Sequence, residues 1–131
     1  MTIDKFSGKP VYEQIIDQLQ SRISAGILRP GDPIPSVRAL SLELSVNPNT
    51  IQKAYAELEM RGVTGSVPGV GRFVADAARE KIARYYESRL TELYEAAAGF
   101  ARAGVGEEKL LDTIRQAYRD TVRYRQEGDE K

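Results

Sequence analysis

The chain has 131 residues, 41% hydrophobic and 29% charged, which is typical of a globular protein with one domain or a small domain plus an appendage. It contains no cysteine and no histidine, which excludes disulfides and thiolate zinc sites and removes the usual metal ligand and general base. The 19 basic and 19 acidic residues leave zero net charge, unlike many non-specific nucleic-acid binders. Neither a signal peptide nor a membrane span is visible, so we expect a cytoplasmic protein with no cofactor and no membrane partner.

The first predicted helix begins at Pro10, because a proline in the first turn loses no intrahelical hydrogen bond. Its predicted end is Gly26, and the Arg-Pro-Gly-Asp-Pro run at 29–33 predicts a turn. Helical spacing of apolar residues supports the prediction, through Tyr12, Ile15, Ile16, Leu19 and Ile23.

Two shorter helices are predicted next. Ser36 is the expected N-cap of the second helix, and Asn47 followed by Pro48 predicts the start of the third. The third helix is expected to run to about Met60, with Gly62 as its C-terminal glycine.

A β-hairpin completes the first part of the chain. Two short β-prone runs, at 63–67 and 72–75, are joined by Pro-Gly-Val-Gly. Three helices and a hairpin describe a winged helix-turn-helix, which we assign to residues 1–75, with the helix-turn-helix from Val37 to Ala56. The predicted fold class is therefore mostly α, an α+β winged helix followed by a C-terminal two-helix segment.

From Ala77 the pattern becomes that of one long amphipathic helix, and a last helix begins at Glu107 after a glycine-containing break. One short neighbouring helix cannot cover this apolar stripe, so we expect residues 76–131 to pack on a second copy in a homodimer. The alternative is an intramolecular hairpin that folds onto the first domain. The predicted dimerisation residues are Ile82, Tyr86, Leu90, Leu93, Ala97, Phe100, Leu111, Ile114 and Tyr118.

Tyrosines and arginines alternate along the C-terminal helices. They could line a pocket for a small-molecule effector, but we favour an amphipathic interface on which the arginine heads reach water. No sequence feature names a ligand. The residues are Tyr85, Tyr86, Tyr94, Tyr118 and Tyr124 with Arg84, Arg89, Arg115, Arg119 and Arg123.

The third helix presents only polar groups in its first turn, namely Asn49, Thr50, Gln52 and Lys53. A recognition helix docks on DNA by its N-terminal residues. Amides pair with adenine, threonine contacts the thymine methyl group, and lysine reaches guanine or a phosphate. The alternative is an ordinary cap and a solvated face, since helix-turn-helix patterns also occur in plain bundles.

Several motifs occur together in the first half of the chain. They are Pro10-Val-Tyr-Glu-Gln-Ile, Ile23-x-x-Gly-x-Leu-x-Pro-Gly-Asp, Ile34-Pro-Ser-x-Arg-x-Leu, Leu44-x-Val-Asn-Pro-Asn-Thr, Ala54-Tyr-x-x-Leu-Glu and Gly69-x-Gly-x-Phe-Val. In this combination residues 10–75 closely resemble the DNA-binding domain of the GntR family of bacterial transcription regulators. The short helical C-terminal part is similar to that of the YtrA-like subfamily.

The resemblance implies roles for single positions. Arg38 matches the family arginine that contacts DNA, although alone it reads as a surface arginine or an ion-pair partner. Ser36 matches a position that bonds a phosphate, whereas we assign Tyr55 mainly to the core. Positions that touch phosphates or bases match Asn47, Asn49, Thr50 and Gln52.

The hairpin also matches the family wing. Gly69 and Gly71 match the wing-tip glycines that let the backbone lie along the minor groove, or they serve only a tight turn. Arg72 is expected to reach a phosphate from the wing. Two departures remove positive charge, because many relatives carry a basic residue at Val70 and other branches an arginine at Pro48. We therefore expect modest affinity per domain and steep salt dependence.

The resemblance implies a dimeric repressor that binds double-stranded DNA at a pseudo-palindromic operator. Subfamily members often lie beside transporter genes, which makes a transport operon the expected target. An enzyme is excluded, because histidine and cysteine are absent and the glycine pair after the strand opens no helix. A winged helix used only for protein assembly is the remaining alternative; zero net charge favours it, whereas Arg38 and the polar turn oppose it.

Overall fold

The computed structural model describes residues 1–129, with side chains as far as Thr121. Two compact units are present, Met1–Ala83 and a second that begins at Arg84. The elements, in chain order, are α1 (Val11–Ser24), α2 (Val37–Leu44), α3 (Pro48–Met60), β1 (Thr64–Val67), β2 (Gly71–Val74), α4 (Ala78–Glu87), α5 (Leu90–Arg102) and α6 (Glu107–Asp129). No helix within the described chain is long and apolar enough to cross a membrane.

The predicted helix boundaries of the first unit are confirmed. The Ser36 hydroxyl oxygen accepts a hydrogen bond from the Ala39 amide at 3.0 Å and so caps α2. The Asn47 side-chain oxygen accepts a hydrogen bond from the Asn49 backbone amide at 2.8 Å and so caps α3. After α3, Gly62 has φ +78, a left-handed conformation that glycine adopts without a Cβ penalty.

A hydrophobic core joins α1, α2 and α3 to the hairpin and to the start of α4. Tyr55 and Ile51 of α3 are fully buried within it, which confirms the core assignment of Tyr55. Because Ala78 and Ile82 also pack here, the first unit extends past the predicted boundary at residue 75. Ile82 is 7% exposed, so its assignment to a dimerisation surface is wrong.

The hairpin β1–β2 is antiparallel, with Thr64 opposite Val74. The segment before α2 pairs alongside β2 and so widens this sheet. The Ile34 amide donates to the Arg72 carbonyl at 3.0 Å, and the Val74 amide donates to the Asp32 carbonyl at 2.9 Å. The predicted turn at 29–33 is present, and the residues that leave it pair with the outer edge of β2.

The prediction of one long helix after Ala77 is wrong, because α4 ends at Glu87 and α5 begins at Leu90. The Ser88 hydroxyl donates to the Tyr85 carbonyl at 2.6 Å. Such a side-chain bond competes with the helical ladder and favours a turn. The Arg89 amide then bonds the carbonyl three residues back, which closes a tight turn between the two helices.

Candidate nucleic-acid interface

The first turn of α3 is a polar surface. Asn49 and Gln52 are exposed, and their side-chain amide groups form no hydrogen bond among the described residues. Thr50 is half-buried, so only part of it faces outward. Asn47 uses its oxygen for the cap, which leaves its NH₂ group directed away from that bond. The side-chain amides of Asn49 and Gln52, whose oxygen and NH₂ groups are both unengaged within the described part of the chain, can pair bidentately with adenine.

The start of α2 is a second polar surface. Ser36 and Arg38 are exposed, and the Ser36 hydroxyl oxygen is occupied by the cap while its hydrogen remains available. Arg38 forms no hydrogen bond, ion pair or ring contact within the described part of the chain. An ion-pair role for Arg38 therefore has no support. The positive end of the α2 dipole lies beside it and favours a bound anion.

Lys53 occupies a different place from the one expected. Its ammonium lies over the Tyr12 ring of α1, 4.0 Å from the ring centroid, in a cation–π contact. The side chain is thus tied to α1, and a contact with DNA would require it to leave this ring. The sequence could not place it, because the two residues lie far apart in the chain.

The wing tip carries no charged side chain. The Val67–Val70 turn places Pro68 and Gly69 at its centre, and Gly69 has φ +77, as a type II turn requires. A Cβ on Gly69 or Gly71 would meet no atom within 4 Å, so backbone conformation alone selects glycine there. Val70 is 70% exposed and Val67 48%. The tip therefore offers apolar side chains and peptide groups.

Arg72 lies at the base of the wing rather than at its tip. Its guanidinium carbon is 5.3 Å from the centroid of the Tyr55 ring. The Arg72 Nε atom is buried and has no partner among the described residues. Burial raises the pKa of Tyr55 to about 12, and the positive charge of Arg72 limits that rise. The side chain expected to reach a phosphate is thus partly engaged with α3.

The N-terminal arm was absent from the sequence-based site. The Asp4 amide donates to the Gln14 side-chain oxygen of α1 at 2.9 Å, which fixes the arm on that helix. The Lys5 ammonium then donates to the Ser45 carbonyl at 2.8 Å, in the turn between α2 and α3. Ser45 has φ 53, a left-handed conformation. Only the folded chain reveals this extra positive charge beside the helix-turn-helix.

The second unit leaves its apolar side chains uncovered. Leu90, Leu93 and Phe100 of α5 are 58%, 51% and 51% exposed. A groove of about 730 Å³ runs between α5 and α6, with Ala97 and Ile114 also in its wall. Tyr86 and Tyr118 are exposed, while Leu111 is half-buried. Except for Ile82, the predicted dimerisation residues therefore belong to this unit.

The interleaved arginines and tyrosines are partly engaged with one another. The Arg89 guanidinium lies 5.3 Å from the Tyr85 ring centroid and 6.0 Å from that of Tyr86. It also bonds Glu92, and this bond is the main cause of the raised pKa of Arg89. Side chains of Arg123 and Tyr124 lie outside the described residues. Around Arg89 the pattern forms a local cluster on the helix surface.

The chain matches known proteins over nearly its full length. It is 37% identical over 119 residues to the HTH-type transcriptional repressor YtrA of Bacillus subtilis. This match covers 90% of this chain and 92% of that protein. A solved structure described as a transcriptional antiterminator from Listeria monocytogenes EGD-e has a TM-score of 0.74 and 33% identity, and covers 93% of this chain and 92% of that one.

A structure bound to DNA is also similar. The DNA-binding domain of AraR in complex with operator ORX1 has a TM-score of 0.51 and 32% identity, over 57% of this chain and 99% of that one. The model of the bacterial regulatory proteins of the gntR family matches residues 11–74. That range includes the polar starts of α2 and α3 and the whole wing. The chain belongs to the GntR family of bacterial regulatory proteins.

Proposed function

We propose that this DNA-binding regulator acts in the cytoplasm as a homodimeric repressor of a nearby operon, with a pseudo-palindromic operator as its partner. The observation that carries the proposal is the pairing of two exposed polar helix starts. Arg38 at the start of α2 has no partner among the described residues, and the α3 amides of Asn49 and Gln52 face outward. Together they offer a phosphate contact and two base-reading groups.

Both wing glycines and Arg72 complete the proposed contact surface. Gly69 and Gly71 let the backbone approach DNA closely, because neither carries a Cβ. Arg72 is only partly engaged, so its outer nitrogens are assigned to a phosphate at the wing base. Lys53 is assigned to the periphery of this surface, since its ammonium rests on Tyr12.

Dimer formation is supported by the uncovered face of the second unit. Burial of a large apolar side chain contributes about 1.5–3 kcal/mol, and α5 has no buried side chain within this chain alone. A second copy laid across the groove would bury Leu90, Leu93 and Phe100 from each subunit. Two DNA-binding domains in fixed register then read two half-sites. A small apolar effector in the same groove is the competing occupant.

The test is a titration of the full chain against its own promoter fragment and a scrambled duplex, at two salt concentrations. We expect sequence-dependent binding, one dimer per site, that weakens as salt increases. The double variant Arg38→Ala with Gln52→Ala should abolish binding and leave the dimer intact. Arg79→Ala removes the same charge from α4, where that side chain bonds the Ser24 carbonyl, and should leave binding unchanged.

Equal and weak binding of both duplexes by the wild type would contradict operator recognition. It would instead favour a protein-assembly role, for which the zero net charge and the apolar wing tip are the specific observations. Survival of operator binding in the double variant would refute the assignment of Arg38 and Gln52 as contacts.

A further inference from the structure

One buried hydroxyl links the elements that carry the proposed DNA contacts. The Tyr55 hydroxyl of α3 donates to the Pro35 carbonyl at 2.8 Å, across 20 positions of sequence. Pro35 directly precedes Ser36, the N-cap of α2, and Arg38 follows within the first turn. The recognition helix therefore holds the entry to α2 through one side-chain bond.

The base of the wing meets the same side chain. The Arg72 guanidinium lies over the Tyr55 ring, 5.3 Å from its centroid. The Arg72 carbonyl accepts from the Ile34 amide at 3.0 Å, so β2 also holds the segment that leads into α2. The residues before Ser36 are thus fixed from α3 through Tyr55 and from the wing through Arg72.

Packing alone does not require this hydroxyl. Phenylalanine would fill nearly the same volume, and a buried hydroxyl must find a partner to offset its lost hydration. Its partner is the carbonyl of Pro35, an exposed residue just before α2, rather than a group within the core. Since the pKa of Tyr55 is raised to about 12, the hydroxyl stays protonated, and so remains a donor, throughout the usual pH range of binding assays.

We propose that Tyr55 is a positioning residue for DNA binding, whose hydroxyl sets the start of α2 so that Ser36 and Arg38 face the same DNA segment as α3. The inference rests on the proposed function. Tyr55 itself is fully buried and touches no DNA. It acts through Pro35, and its loss therefore acts on the contacts of α2 and leaves those of α3 in place.

The first experiment is a double-mutant cycle with Tyr55→Phe and Arg38→Ala, scored by affinity of the full chain for its promoter fragment. Loss of one hydrogen bond of this kind should lower operator affinity about tenfold in the Tyr55→Phe protein. In the Arg38→Ala background the same change should shift affinity by a clearly smaller factor, about threefold or less, because only the Ser36 contact then remains for Tyr55 to position. Equal fold-changes in both backgrounds would overturn the proposal.

The matched control is Tyr12→Phe, because among the described residues the Tyr12 hydroxyl bonds only the adjacent Glu13, at 3.3 Å, and phenylalanine keeps the ring that Lys53 contacts. It should leave operator affinity unchanged. Circular dichroism at the assay temperature shows that every variant is folded. A Tyr55→Phe protein that is folded and binds the operator with wild-type affinity would also refute the positioning role.

A second measurement requires no DNA and separates this inference from the proposed function. Hydrogen exchange of the Ala39 amide reports the Ser36 cap, because Ser36 accepts from it. Tyr55→Phe should speed exchange at Ala39 relative to amides in the middle of α1. Unchanged exchange would refute the hold on α2 even if the operator is bound. If exchange at Ala39 is faster in Tyr55→Phe but the wild type binds no operator, then Tyr55 positions the start of α2 and the proposed function is refuted.

Discussion

A single side chain can serve both the fold and the contact surface, as Asn47 illustrates. Its oxygen accepts a hydrogen bond from the Asn49 backbone amide at the first turn of α3, while the residue is exposed and its NH₂ group has no partner among the described residues. The cap uses one end of this amide, and the proposed DNA contact would use the other. The two roles can be separated by chemistry, because aspartate keeps the acceptor and loses the donor.

For Asn47→Asp we expect an unchanged or slightly higher free energy of unfolding, because a carboxylate caps well and favours the positive helix end. Operator affinity should fall by more than about tenfold, since the new negative charge faces phosphates. Denaturant unfolding and operator titration measure the two effects. In contrast, Asn47→Ala should cost about 1 kcal/mol of stability. Wild-type operator affinity in Asn47→Asp would show that Asn47 is no contact.

Prediction at this scale succeeds where the cause is local. The caps at Ser36 and Asn47 follow from residue type and position, and both are confirmed. Lys53 and Arg72 were placed less well, because their orientations depend on aromatic rings that only the folded core supplies. Lys5 was missed for the same reason, since its partner is 40 positions away.

Among the elements, the wing departs furthest from the basic surface expected of a DNA contact. Its tip exposes Val67 and Val70, and no charged residue lies between Gly62 and Arg72. The proposed contact of the wing tip with DNA would therefore use shape and peptide groups. Such a wing adds little to sequence-independent attraction, which comes from Lys and Arg on phosphates.

For Val70→Arg we expect tighter binding of both the promoter fragment and the scrambled duplex by about the same factor, because a phosphate contact does not read sequence. Two added phosphate contacts per dimer should make the slope of the logarithm of affinity against the logarithm of salt concentration steeper by about two. Fluorescence titration over a salt series measures the slope. Val70→Gln is the control, because it adds length without charge and should keep the wild-type slope. An unchanged slope in Val70→Arg would place the tip away from phosphates.

The break between α4 and α5 shows the limit of periodicity. Apolar spacing continues across Ser88 and Arg89, so the pattern predicted one helix. Hydrophobic periodicity detects which face of a helix is apolar, whereas the Ser88 hydroxyl bond at the break depends on one side-chain rotamer. Ile82 lies in α4, before this break, and packs in the core of the first unit.

At the scale of the whole molecule, the two units differ in how far they bury their apolar side chains. The first, Met1–Ala83, buries a continuous core, whereas α5 of the second buries no side chain within one chain. This much exposed apolar surface on the helical pair is what supports the proposed dimer. The apolar stripe predicted a separate C-terminal segment from residue 76, whereas the first compact unit of the structure extends to Ala83.

For Leu93→Glu we expect dimers to dissociate at concentrations where the wild type stays paired, because a charge would be buried in the proposed interface. Operator affinity should fall by at least about tenfold, since the two half-sites lose their linkage. Sedimentation measures the assembly. Thr91→Glu is the control, because Thr91 is exposed and lies outside the groove wall. A Leu93→Glu protein that stays dimeric would place the interface elsewhere.

The uncharged wing tip has a consequence for how the regulator finds its operator inside a cell. With zero net charge and few cations on the reading face, little of the protein would be held on the rest of the chromosome. Its search would rely on free diffusion more than on sliding. A larger share of the molecules would then be available for the operator, so that few copies per cell would suffice to keep it occupied.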